Sequence, residues 1–131
     1  MSPEASERLH ARHRLIAAAD FATLKAEGRA FRGAHCLLVV RAAPGEVTRV
    51  GFVASKRGVG GAVQRNRARR RLREIVRRRW PRVPQTGYLL MFVAYRSVPT
   101  AAHQDLASDV ERVLAAAGAL APIAPLHLGS R

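Results

Sequence analysis

Apolar positions along the chain change their period several times, and each change marks an element. Leu15 to Glu27 sets Ala17, Phe21 and Leu24 on one side of a short helix, with Gly28 placed to stop it. His35 to Val40 (HCLLVV) is a continuous apolar, β-branched run and predicts a strand with little exposure on either face. Ala43-Pro44-Gly45-Glu46 is turn chemistry. Val47 to Ser55 then alternates, sending Val50, Phe52 and Ala54 inward, and the two runs are expected to pair as an antiparallel hairpin. The period next becomes helical: Ala68, Leu72, Ile75 and Val76 recur at i, i+4, i+7 and i+8, a single apolar stripe. This helix should begin near Ala62, after Gly58, Gly60 and Gly61, and stop at Pro81, which disfavours helical backbone in the residue before it. Tyr88 to Tyr95 (YLLMFVAY) is the most apolar run and predicts a central strand. A last helix, N-capped by Thr100, turns Ala102, Leu106, Val110, Val113, Leu114 and Ala117 to one face and ends at Gly118. Asp105 and Asp109 are expected together on its outer side, where the helix dipole favours acids.

The order α-β-β-α-β-α predicts an α+β fold, a single two-layer domain with a small sheet. At 131 residues the chain is one domain with a modest core. Residues 1–13 are polar and without period, an expected flexible N-terminus; 14–117 form the domain; 118–131, with three turn-formers after Gly118, predict a loosely ordered tail.

Charge changes the picture at the arginine helix. From Arg65 to Trp80 there are nine arginines in sixteen residues and one acid, Glu74. Opposite the apolar stripe lie Asn66, Arg70, Arg73 and Arg77, with Arg67 and Glu74 to one side; Arg65 and Arg69 border the stripe, where long stems lie on the core and the head stays wet. Like charges at i, i+4 repel by a few tenths of a kcal/mol per pair, so a face this uniform predicts an anionic polymer as partner. The whole chain has a net charge of +14. No apolar run reaches the ~20 residues needed to span a bilayer, and MSPEASERLHARHRL lacks the apolar region of a signal peptide, which predicts a cytoplasmic protein. The single cysteine, Cys36, excludes an intramolecular disulfide and is expected in the core.

No catalytic constellation is legible. His10, His13, His35, His103 and His127 lack metal-ligand spacing, no phosphate-loop pattern is present, and acids are too few for a two-metal nuclease. The polypeptide is expected to be a binder without a small-molecule cofactor. Two anionic partners can be weighed from the residues alone, duplex DNA and a membrane surface. A double-stranded DNA-binding protein would lay the helix in a major groove, with only Gln64 and Asn66 to read base edges. A basic helix lying on an anionic membrane would need the apolar stripe that the sheet requires, so no membrane partner is expected.

The run Arg65-Asn66-Arg67-Ala68-Arg69-Arg70-Arg71-Leu72-Arg73-Glu74 resembles the signature R-N-R-x-[KR]-R-x-x-R of the bacterial ribonuclease P protein family. The upstream context matches too: Ala54-Ser55-Lys56-Arg57 ending a strand, a glycine-rich turn, then Ala62-Val63. The resemblance runs from about Arg14 to Leu114. It implies a four-stranded mixed sheet like ribosomal protein S5 domain 2, with a short extra strand around Arg29 to Gly33. The arginine helix would sit in a left-handed β-α-β crossover, against the usual right-handed rule. It implies the protein subunit of ribonuclease P, which binds ribonuclease P RNA and the 5′ leader of precursor tRNA while the RNA and its Mg²⁺ cleave the leader. By the same resemblance Lys56, Arg57, Arg65, Asn66, Arg67, Arg69, Arg70 and Arg73 are expected to contact RNA. Asn66 near a helix start is alternatively a hydrogen-bonding residue for free amides. Phe21 is the candidate for the leader cleft, or plain core packing. The family's second helix aromatic is absent, with Lys25 in its region, and Val39 or Val40 stands where a strand aromatic is usual, so charge is expected to replace some stacking.

Overall fold

The computed structural model describes residues 9 and 11–121. After a 3-10 turn at Ala11–His13 come α1 (Ala18–Glu27), β1 (Arg29–Arg32), β2 (Cys36–Val47), β3 (Arg49–Val53), α2 (Ala62–Arg79), a 3-10 turn at Trp80–Arg82, β4 (Thr86–Ala94) and α3 (His103–Ala116). The four strands form one sheet in the order β1-β2-β4-β3. β1 and β2 pair antiparallel, as do β2 and β4, whereas β3 and β4 run parallel, with Phe52 opposite Phe92. The sheet is therefore mixed, and α2 is the crossover between the parallel neighbours β3 and β4.

β4 is central because it is apolar on both sides: Leu89, Leu90, Met91 and Phe92 are all buried. Successive strand residues face opposite ways, and two cores follow. Leu38, Val40, Leu90 and Phe92 pack with Ala68, Leu72, Ile75 and Val76 of α2 and Leu106, Val110, Val113 and Leu114 of α3. Val39, Leu89 and Met91 meet Leu24 of α1 and Leu15 on the other face. The sheet and the α2–α3 pair are the main layers, and the short α1 covers part of the second face. The stripe expected on α2 is the set of its buried residues.

Five expectations need correction. The hairpin does not form: β2 continues through the Ala43–Glu46 segment with a register shift between Ala43 and Val47, and β3 crosses to the far side of β4 instead of pairing with β2. The doubly apolar β4 takes the place between them. The first helix starts at Ala18, not Leu15, because the Leu15 amide donates to the Val50 carbonyl at 2.9 Å and Arg14 bridges to Val50 at the edge of β3. Thr100 does not cap the last helix; its N-cap is Ala102, without a side-chain bond. Asp109 is not on the outer side but fully buried. The domain begins before residue 14, since Leu9 is buried in the main core and His13 is 3% exposed. His13 Nδ1 donates to the Thr48 carbonyl at 2.6 Å, with its ring edge-on to Trp80 at 5.1 Å. At the other end Ala119 is buried and the Ala121 amide donates to the Arg82 carbonyl; the rest of the expected tail lies outside the described residues.

Gly28 does follow α1, though not in a left-handed cap: its φ is −76°. A side chain there would put Cβ 2.4 Å from Val39 Cγ1 and 2.5 Å from the Leu24 carbonyl, so close approach of α1 to β2 requires glycine.

Candidate nucleic-acid interface

With one side of α2 buried, its remaining side chains divide into cations held by the fold and cations that face solvent. Arg67 Nε donates to the Pro99 carbonyl at 2.8 Å, and an Arg71 Nη donates to the Val98 carbonyl at 2.6 Å, so both tie α2 to the turn before α3. Arg79 pairs with Glu111 of α3 at 2.8 Å. Arg77 and Arg78 both reach Glu74, and the Arg77 hydrogen bond, stronger than the opposing effect of burial, holds the Glu74 carboxyl below its usual pKa. Arg70 is exposed and makes no hydrogen bond or ion pair among the described residues.

The border residues behave differently from one another. Asn66 Oδ1 accepts from the Arg69 guanidinium, which also reaches the Ala54 carbonyl at 3.4 Å. Asn66 thus orients an arginine and does not satisfy a helix-start amide. Arg65 is half-buried, and its Nε has no partner among the described residues. Arg73 places its guanidinium 5.7 Å from the centre of the Phe52 ring, which itself stacks on Phe92 at 5.8 Å. Burial, then the charges of Arg14, Arg69 and Arg70, push the Arg73 pKa below its ordinary value. The cations are crowded, and little but solvent offsets them.

The Ser55-Lys56-Arg57-Gly58 turn leads into α2. Ser55 shapes it by accepting the Gly58 amide at Oγ, 2.8 Å, and the Val59 amide at its carbonyl, 2.9 Å. Val59 is buried and anchors the turn while Lys56 and Arg57 stay exposed. Gly60, at φ +128°, takes a backbone that a side chain would strain. Arg96 donates to the Arg57 carbonyl at 3.2 Å, adding a third exposed cation to this turn.

Phe21 lies at the edge of β3, against Gly51: a Cβ there would come within 2.6 Å of its ring. It lines a cleft of about 150 Å³ with Arg14, Leu15, Ile16, Val50, Phe52 and Arg73. The structure thus brings Phe21 and Arg73 together but leaves Lys56 and Arg57 in a separate turn. Lys25 is exposed, and Val39 is buried under α1. Sequence reasoning missed Arg14, Ile16 and Arg96. Ile16 is 83% exposed, an apolar side chain beside an arginine, a pairing the sequence displays without saying what it faces. Arg14 and Arg96 are far from the helix in sequence, and only the strand order brings them near it.

Away from this face, the Asp109 carboxylate accepts the amides of Ala34 at 2.7 Å and His35 at 2.8 Å, and pairs with Arg112 at 2.6 Å. Burial raises its pKa, but the His35 and Ala34 amides with Arg112 and Cys36 outweigh burial and hold it below the usual aspartate value. Cys36 is fully buried, and burial together with the neighbouring Asp109 charge pushes its thiol well above the ordinary range, so it is a core residue and not a nucleophile. Among the described residues no three His, Cys, Asp or Glu side chains gather to hold a metal, and no helix is long and apolar enough to cross a membrane.

A four-stranded mixed sheet that holds an arginine helix across two parallel strands, apolar side in and charged side out, defines a small α+β domain with one cationic helix face. The family model for ribonuclease P matches residues 9–118. The chain is 38% identical over 109 residues to the ribonuclease P protein component of Symbiobacterium thermophilum, covering 82% of this chain and 93% of that protein. It is 42% identical over 113 residues to the component from Streptomyces avermitilis, covering 78% and 89%. The solved RNase P protein of Staphylococcus aureus has the same fold, with a TM-score of 0.72 at 20% identity over 82% of this chain and 97% of that one. The chain belongs to the ribonuclease P protein family, the protein subunit of a ribonucleoprotein endoribonuclease of tRNA processing.

Proposed function

We propose that this protein binds ribonuclease P RNA through the outer face of α2 and the Ser55–Gly60 turn, and receives the 5′ leader of precursor tRNA in the cleft that holds Phe21. The observation that carries the proposal is the pair of exposed cations Arg70 and Arg73 on a helix whose other side is committed to the core, with the exposed Lys56 and Arg57 in the turn that leads into it. Arg65, Arg69 and the Asn66 that orients Arg69 extend this set, and Arg67 adds its charge from a fixed position on the Pro99 carbonyl. Guanidinium groups suit phosphate because they donate in a planar fork. The RNA performs the hydrolysis and holds the Mg²⁺; the residues described here form no carboxylate cluster fitted to that ion. In the cleft, Arg14 and Arg73 stand with Phe21 and Phe52, so the leader is held by charge together with these two aromatic rings.

The duplex DNA reading is weaker. Asn66, needed to read an adenine edge, has its carbonyl oxygen turned to Arg69, and Arg67 and Arg71 are held to the turn beside the helix.

Competition binding tests the proposal. At physiological salt the protein should prefer ribonuclease P RNA and precursor tRNA to duplex DNA of the same length. With about six phosphates neutralised, log affinity against log salt should fall with a slope of about −4 to −5. Equal binding to duplex DNA, or a slope shallower than about −2, would mean that these arginines do not sit on RNA phosphates.

A further inference from the structure

One hollow on the α2 surface is not explained by phosphate contact. It lies between the middle of α2 and the first residue of α3, encloses about 210 Å³, and is lined by Arg70, Arg71, Glu74, Ile75 and His103. Ligand pockets for drug-sized molecules run to roughly 300–1,000 Å³, so this one has room for a single ring system. Its floor is apolar: Ile75, 1% exposed, belongs to the main core. Its walls are flat groups. Arg71 is fixed by its bond to the Val98 carbonyl. His103, exposed at the start of α3, makes no hydrogen bond or ion pair among the described residues.

Glu74 decides what kind of ligand fits. Its carboxylate, held anionic by Arg77 and Arg78, stands in the wall beside Arg70 and Arg71 and disfavours a phosphate seated against its own oxygens. A carboxylate has capacity for several donors, so it accepts from an amino edge instead. An apolar floor, planar guanidinium and imidazole walls and one acceptor describe a nucleobase site. Guanidinium planes and aromatic rings, histidine included, are the surfaces on which proteins stack unstacked RNA bases. We propose that this hollow seats one base turned out from the RNA partner, stacked against His103 and the Arg71 plane. The proposal rests on the RNA-binding reading above and extends that surface from α2 onto α3.

The test uses the full chain with His103→Ala, His103→Tyr and His103→Lys, each checked by thermal melting and titrated with ribonuclease P RNA across a salt series. Loss of one stacking contact should weaken binding by His103→Ala about tenfold. The salt slope should not move, because no phosphate contact is lost. His103→Tyr, which keeps a ring, should bind within about twofold of the parent, and His103→Lys, which keeps only a charge, should remain weak. Restoration by lysine and not tyrosine would make His103 a phosphate contact and overturn the base site. Parent-like binding by His103→Ala, with the parent slope still steep, would overturn it too while leaving the RNA-binding reading standing. A parent protein that fails to bind the RNA would remove both.

Discussion

Asp109 shows how much one side chain organises. It joins α3 to the loop between β1 and β2 by accepting two amides, and Gly33 is a glycine because a Cβ there would lie 2.4 Å from a carboxylate oxygen. Asp109→Ala leaves those amides without their acceptor and should cost about 3 kcal/mol in urea unfolding. The pH dependence follows from its lowered pKa. The contribution is fully present above the unfolded aspartate value of about 3.9 and is lost as pH falls through the lower folded value. Stability of the parent should therefore drop below about pH 4 more steeply than that of Asp109→Asn, which cannot titrate. Equal acid sensitivity of the two would mean that Asp109 is not held by those amides. The burial of Asp109 was not read from the sequence, which placed it on the outer side with Asp105, although its spacing, three residues after Leu106 and four before Val113 on the apolar face of α3, was legible. Its partners were not, because they lie 74 and 75 residues away in sequence.

On the scale of elements, α2 is a helix with two independent sides, and substitutions on them should act on different properties. Leu72→Ala removes a fully buried side chain and should cost roughly 2–5 kcal/mol of stability while the folded fraction binds RNA nearly as before. Arg70→Ala should leave the melting temperature unchanged or slightly raised, weaken RNA binding by about 1–2 kcal/mol and lower the salt slope by about one. Arg73→Ala is a less clean probe, because it also removes the contact with the Phe52 ring. If Arg70→Ala unfolds the protein and Leu72→Ala only weakens RNA binding, the faces have been assigned backwards. The stripe, the start and the end of α2 were all visible in the sequence because helical period, glycine turn and proline are local signals. Which arginines are free was not visible. Arg67 and Arg71 are committed by carbonyls of Val98 and Pro99, a pairing that depends on where the turn before α3 falls.

For the whole molecule, the same distinction separates what the chain displays from what the fold adds. Strand identity was legible from the runs HCLLVV, VGFV and YLLMFVAY; strand order was not, and the expected hairpin failed because a strand apolar on both faces belongs between two others. That order brings Arg14 and Ile16 to the edge of β3, where Phe21 and Arg73 meet them in one cleft. The Phe21 cleft and the arginine face are thereby joined at Arg73, which under the function proposed above would let one protein touch two RNAs at once. Reconstitution tests this account most directly. Rigorously RNA-free protein, a bacterial ribonuclease P RNA and precursor tRNA are combined at low Mg²⁺, and release of the 5′ leader is followed. The protein alone should release none, the RNA alone should be slow, and the two together should cleave efficiently. Cleavage by the protein without RNA, or no gain over the RNA alone, would contradict the account.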